Sequence, residues 1–370
     1  MNKKFWTTAF TLTGTIIGAG ILGLPYVFSK SGFLVGLFWL VVLGLIMLYV
    51  NLCLGEVCLR TRGKHQLTGY AEKYLGKTGK RLMFFAVIFG IYSALIAYLI
   101  GEGQSFSQLF SSGVEYSFLA GLVFWVFITI LLQGGLKRLK KVEFWGVLTI
   151  IFLVLAIFIV LFPKIDINNL YHMNQDNFFL PFGVVIFAFL GFTSIPELRM
   201  EIKGQEKELK KAIIFGSLIP ILLYALFSLV FVGILGKNTS QVATLAFGPL
   251  VTILGIFTMM TSYFVLSFSL KDSFLFDLGF KKWKSFVFVS VLPLILYILI
   301  SLFNLTGFVG VLGIGGVVSG GLTGILILFM NRESKNRSGR KPEFDMKLGW
   351  FLIFILSLIF IFGVIAEFLL

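Results

Sequence analysis

Apolar positions along the chain fall in long blocks, separated by short segments that hold nearly all of the charge. Blocks of about 20 residues match a bilayer's hydrocarbon core, roughly 30 Å thick at about 1.5 Å per helical residue. The pattern predicts eleven transmembrane helices, at about 5–28, 33–59, 82–110, 117–136, 144–162, 178–198, 212–236, 242–270, 285–303, 306–330 and 348–370. The blocks are apolar all round, so length and flanking charge define them rather than amphipathic phase. The longest polar stretches, 60–81, 163–177, 199–211 and 331–347, are loop-sized, and 331–347 reads as a flexible linker before the last span. Lys3 and Lys4 precede an apolar run too long for a signal-peptide core, so Phe5–Phe28 reads as a first span. The fold class predicted is all-α and polytopic, with a single membrane domain over 1–370.

Composition agrees. With 58% hydrophobic and 13% charged residues, an ordinary soluble domain and a disordered chain are both excluded. A net charge of +14 would point to nucleic acid in a soluble protein. Here it has a topological origin. With the N-terminus inside, only Lys30, Lys164 and Lys237 of the 31 Lys and Arg residues fall in outer loops. That bias predicts a multi-pass plasma-membrane protein with a cytoplasmic N-terminus and, after eleven spans, an extracytoplasmic C-terminus. Its partners are the lipid bilayer and a small molecule, not nucleic acid, and it acts as a monomer or weak homo-oligomer. Cys53 and Cys58 lie on one apolar run and read as inert core residues, with no disulfide or metal framework.

Two spans are interrupted in the same way. Span 1 reads TLTGTIIGAGILGLP and span 6 reads FGVVIFAFLGFTSIPELR, each with Gly midway and Pro beyond it. They open two successive sets of five spans, about 5–162 and 178–330, and an odd repeat length inverts the second set in the membrane. Helix breaks are placed at Ile17–Ile21 and Phe189–Thr193. Unwound backbone inside a membrane is tolerated only where a cavity or ligand satisfies it, so paired breaks point to a transporter site. A fresh helix N-terminus offers N–H groups to a carboxylate, and freed carbonyls attract an ammonium group or a cation. The glycines of span 10, from Gly307 to Gly321, read instead as close helix packing.

Helical rise places Glu102 near the outer boundary, where it could serve a vestibule. Glu56 and Glu197 lie near the inner surface as partners for basic loop residues, and Glu367 closes the last span. At mid-depth the polar residues are neutral: Tyr92 and Ser93 in span 3, and Thr258, Thr261 and Ser262 in span 8. Such hydroxyls either bond back to their own helix or supply oxygens to a hard monovalent cation. No span holds Lys or Arg, which favours a neutral zwitterion over a substrate with an extra carboxylate.

The stretches GTIIGAGILGLP (14–25), FAFLGFTSIPELR (187–199) and TSYFVLSFSLKDSFLFD (261–277) resemble the span 1, 6 and 8 signatures of the amino acid–polyamine–organocation superfamily. Within it they look closest to the hydroxy/aromatic amino acid permeases and the amino acid/auxin permeases. The resemblance implies a five-plus-five inverted repeat with discontinuous helices 1 and 6 and one extra C-terminal helix. The substrate carboxylate would meet N–H groups at Gly18, Ala19 and Gly20. The amine would meet carbonyls near Thr15, Ile16, Phe189 and Leu190, with Tyr92, Ser93 and Phe192 lining the pocket. In sodium-coupled relatives the cation position maps to the carbonyls of Gly14 and Ile17 plus Thr258, Thr261 and Ser262. Hydroxy/aromatic permeases are generally proton-coupled, yet this chain lacks the span 5 lysine of some proton-coupled relatives, so Na+ and H+ both stay open as coupling ions. The implied function is cation-coupled import of a neutral, aromatic or hydroxy amino acid by alternating access. The competing readings are a non-transporting amino acid sensor with a permease fold, and an amino acid exchanger. No nucleotide motif, metal cluster or nucleophile–base set is present in the sequence, so neither an enzyme nor a cofactor is expected.

Overall fold

A computed structural model describes residues 3–111, 113–133, 139–277 and 279–369. Among these residues the regular structure is helical, with no strand. Helix α1 (Lys3–Ile16) stops short, and α2 (Gly20–Ser31) resumes after three residues at an angle of 56°. Gly32, at φ 103°, turns the chain into α3 (Phe33–Arg60), and a side chain there would meet the His172 carbonyl. α4 (Leu67–Ser111) departs from helical geometry once, at Gly76, where φ is 73°. It therefore incorporates most of the 60–81 stretch expected as loop.

α5 (Ser117–Gln133) and α6 (Leu139–Leu161) follow, and a short α7 (Asn168–Tyr171) lies in the next connection. The end of the fourth predicted span, 134–136, lies outside the described residues. The sixth span is built from α8 (Leu180–Ala188), a 3-10 turn (Phe192–Ser194) and α9 (Ile195–Glu201). Beyond it come α10 (Leu209–Leu235) and α11 (Pro249–Asp272). A π-helical turn, Val287–Val291, joins α12 (Lys282–Phe286) to α13 (Leu292–Leu302). A second, Gly316–Gly320, joins α14 (Phe308–Gly315) to α15 (Gly321–Asn336), and α16 (Trp350–Leu369) ends the described chain. Among the described residues eight helical stretches are long and apolar enough to cross a membrane, and the bent α1–α2 pair makes nine. Shorter apolar helices, Ser117–Gln133 and Leu148–Lys164, stand where the fourth and fifth spans are predicted.

α2, α8 and α14 pack together at the centre, with α10 against α1 and α3. The span 10 glycines serve this packing: Gly316 lies on the Gly183 carbonyl, Gly320 on Ile186 and Gly315 on Ser93. Exposed side chains such as Val123, Ile159, Phe351 and Phe354 give the outer faces an apolar surface suited to lipid.

The 331–347 stretch is a docked strap, not a flexible linker. Glu56, wholly buried near the end of α3, accepts hydrogen bonds from Arg60 Nε (2.6 Å), Asn331 Nδ2 (2.9 Å) and the Met346 N–H (2.9 Å). Asp345 bridges Arg60 (3.2 Å) and Lys335 (2.8 Å), and the Gly339 N–H donates to the Arg60 carbonyl (3.1 Å). Polar composition alone reads as a linker; a buried carboxylate that needs donors is what holds it down. The Lys335 hydrogen bond draws the Asp345 carboxyl down to about 2. Its share of the docking is therefore complete above an ordinary Asp value of about 4 and fades as pH falls towards 2. Glu56→Ala would strand these donors, at a cost of about 3–5 kcal/mol. Trypsin should then cut at Arg337 and Arg340 faster in the variant than in the wild type. Equal cutting would mean that Glu56 does not hold the strap.

Candidate functional site

Both interruptions predicted from sequence are present, and they meet. The first leaves Ile17, Gly18 and Ala19 between α1 and α2; the second leaves Phe189, Leu190 and Gly191 outside regular helix. Gly20 lies directly on the Ala188 backbone, and the position of a Cβ on Gly191 is 2.7 Å from Ile16 Cγ1. Only glycine lets the two breaks approach this closely.

Around the breaks, two buried tyrosines handle the freed backbone groups. The Ala19 N–H points at the Tyr98 hydroxyl of α4 (3.4 Å), which also lies near Gly18 and faces Ser262 of α11. The Leu22 N–H closes back on the Ala19 carbonyl (3.0 Å), whereas the amides before it stand at the open end of α2, the usual state of a helix N-terminus. On the other side, the Tyr224 hydroxyl of α10 is within hydrogen-bond reach of both the Ile16 carbonyl (2.8 Å) and the Ala188 carbonyl (2.9 Å). One phenol thus serves one carbonyl from each break. The Ile16 carbonyl, expected to be free for an amine, already has a donor, with one lone pair to spare.

The other sequence-selected residues divide. Gly14, Thr15 and Gly18 are half-buried, whereas Ile16, Ile17, Ala19 and Gly20 are buried. Thr15 bonds back to the Thr11 carbonyl (2.9 Å). Phe192 is buried on its 3-10 turn, Phe189 packs its ring on Tyr224 (5.4 Å), and Leu190 reaches the Gly320 position. Ser93 is brought to span 10 beside Gly315 and Phe187, and bonds back to the Phe89 carbonyl (3.0 Å). Tyr92 is not brought to the breaks: its hydroxyl donates to the Phe288 carbonyl (2.8 Å), because its face of α4 is turned to the π-helical turn after α12. Of the cation candidates, Thr261 is within reach of the carbonyls of Phe257 (2.9 Å) and Thr258 (3.0 Å), and Tyr98 stands between Ser262 and the break. Thr258 is buried on the same helix.

A polar stripe leads from the breaks to the basic end of the molecule. Thr193 and Glu197 are exposed, and Thr11 of α1 meets Glu201 of α9 (3.4 Å). Towards the opposite end, Ile21, Leu22, Leu24 and Phe308 are buried. Glu102 lies on that side of the break, next to Gly101, which meets Phe308. It is wholly buried, not at an outer rim, because depth along one helix does not reveal what packs around it.

Neither Tyr98 nor Tyr224 was signalled by sequence; each is one of 11 tyrosines in apolar surroundings with no local motif.

Comparison with known proteins agrees with this geometry. The chain is 26% identical over 317 residues to "Glutamine transporter 2" of Aliivibrio fischeri, covering 80% of this chain and 81% of that protein. It is 28% identical to "Tyrosine-specific transport system 1" of Haemophilus influenzae, covering 64% of this chain and 60% of the relative. Against the "Low affinity tryptophan permease" of Escherichia coli it is 24% identical, over 60% of this chain and 56% of the relative. These relatives are transport proteins, not enzymes. The tryptophan/tyrosine permease family matches residues 1–250, a region that includes both breaks, Tyr98 and Tyr224, and the chain belongs to that family.

Proposed function

We propose that this chain is a secondary active transporter that imports a neutral amino acid, aromatic or hydroxylated in the first instance, together with a cation. The observation that carries the reading is the contact between the two helix breaks, Gly20 on Ala188, with one phenol serving a carbonyl from each. Such a junction presents N–H groups to a carboxylate and carbonyls to an amine a few ångströms apart, the charge pattern of a zwitterion. The names of the relatives, transporters of glutamine, tyrosine and tryptophan, support an amino acid as substrate. The two five-span sets form an inverted repeat, and spans 1, 2, 6 and 7 rock against the remainder. The exposed stripe from Thr193 to Glu197 is the path to the cytoplasm in the conformation described.

Purified protein in liposomes tests this with a panel of labelled amino acids and one ion gradient at a time. Accumulation above equilibrium under a Na+ or H+ gradient is the expected result. Binding without accumulation under any gradient would make the protein a sensor, and uptake that needs internal amino acid would make it an exchanger. Replacing Thr261 and Ser262 together by Ala should remove any sodium stimulation. A sodium requirement that survives the change takes these hydroxyls out of the site.

A further inference from the structure

Glu102 lies one helical turn beyond Tyr98 on α4, next to Gly101, which packs on Phe308 of α14 and Met259 of α11. It is 0% exposed, and neither carboxyl oxygen has a hydrogen-bond partner. Ser105, three residues on and so on the same helix face, is equally buried, and its hydroxyl also lacks a partner. The neighbouring elements bring apolar and phenolic groups. Met259 and Phe308 meet Gly101, and the Ser117 carbonyl and the Gly121 backbone meet Gly103. The Met260 amide of α11 faces the carboxyl without closing a hydrogen bond.

Tyrosines stand near this turn: Tyr98 on α4, Tyr263 on α11 with its ring 6.5 Å from that of Tyr98, and Tyr297 on α13 at the Ser117 and Phe118 carbonyls; along α14 the next carboxylate is that of Glu367 from α16, against Gly313. Among the described residues no Lys, Arg or His closes a hydrogen bond with Glu102. An ionised carboxylate cannot be held here without a counter-ion or donors, whereas the neutral acid can.

We propose that Glu102 is the site at which a coupling proton binds: the carboxylate takes one H+ from water when its half of the protein opens, and closure over the α1–α2 break requires the acid form. This rests on the transporter reading and gives its cation an identity. The Tyr98 hydroxyl, one turn away and against the Ala19 N–H, connects the proton site to the substrate junction. The step balances as the transfer of one proton between water and a carboxylate oxygen, and no other bond changes.

The test uses full-length protein in liposomes. The wild type should accumulate labelled substrate under an inward proton gradient, with uptake rising as the pH on the Glu102 side falls. Glu102→Gln, which resembles the acid form, should lose proton-driven accumulation and show a flat pH profile, while still exchanging labelled for unlabelled substrate. Glu102→Asp should restore the pH dependence at a lower rate, which a merely structural role would not require. Proton-driven accumulation with an unchanged pH profile in Glu102→Gln overturns the proposal. So does wild-type accumulation that follows sodium alone and ignores pH, or a Glu102→Gln variant whose exchange is lost and whose pH dependence Glu102→Asp does not restore. No accumulation by the wild type under any gradient would instead remove the transporter reading itself.

Discussion

Gly20→Ala should reduce amino acid uptake by roughly two orders of magnitude, the loss that follows when a binding geometry is displaced by about 1 Å. The added methyl would coincide with the backbone and side chain of Ala188. Neither is the free end of a flexible chain, so α2 and α8 must move apart, at about 1–3 kcal/mol for an overpacked contact. Separation also carries the first-turn N–H groups of α2 away from the carbonyls across the junction. Gly18→Ala is the graded comparison: its methyl would lie 3.3 Å from the Tyr98 hydroxyl, a side-chain tip that can give way, so its effect should be smaller. Gly349→Ala, at a position with nothing within 4 Å, should transport normally. Uptake measured at equal amounts of folded protein ranks the three. Wild-type uptake by Gly20→Ala would show that the contact between the breaks is not where substrate binds.

What the sequence disclosed and what it hid follow from the same physics. Hydropathy locates a span because burial in lipid depends on composition. Gly and Pro locate the breaks because they act on the backbone where they stand. Both breaks therefore lie where the residues place them. The rotation of a span is another matter. Beyond Arg81, α4 is apolar on nearly every side, so nothing local says which residues face the breaks. Tyr92, selected by depth, is six residues from Tyr98 and hence about 240° around the helix at 100° per residue. One reaches Phe288 and the other the Ala19 N–H. Glu102 shows the same limit in another form: its burial beside α11 and α14 depends on partners far away in sequence. The 331–347 strap fails as a linker for a related reason, since its polar residues answer a carboxylate, Glu56, on a different helix.

Tyr224→Phe should weaken substrate affinity about tenfold or more while leaving the fold nearly as stable. The substitution keeps the ring, and with it the packing on Phe189 at 5.4 Å, and removes only the hydroxyl. Two carbonyls then compete for no donor in an apolar interior, at a cost of roughly 1–3 kcal/mol for a buried group left unpaired. If the penalty were spread through the fold it would appear as a lower Tm. Here the stranded groups belong to the two breaks, which can relax by turning a carbonyl away or admitting water. The loss then appears in the geometry that grips the substrate, where about 1.4 kcal/mol is a factor of ten. Tyr297→Phe provides the contrast, because its phenol meets the Ser117 and Phe118 carbonyls, away from either break. That variant should lower Tm with KM unchanged; Tyr224→Phe should raise KM with little change in Tm. If Tyr224→Phe instead lowers Tm and binds substrate as the wild type does, its hydroxyl is a fastening of the fold, and the junction between the breaks does not depend on it.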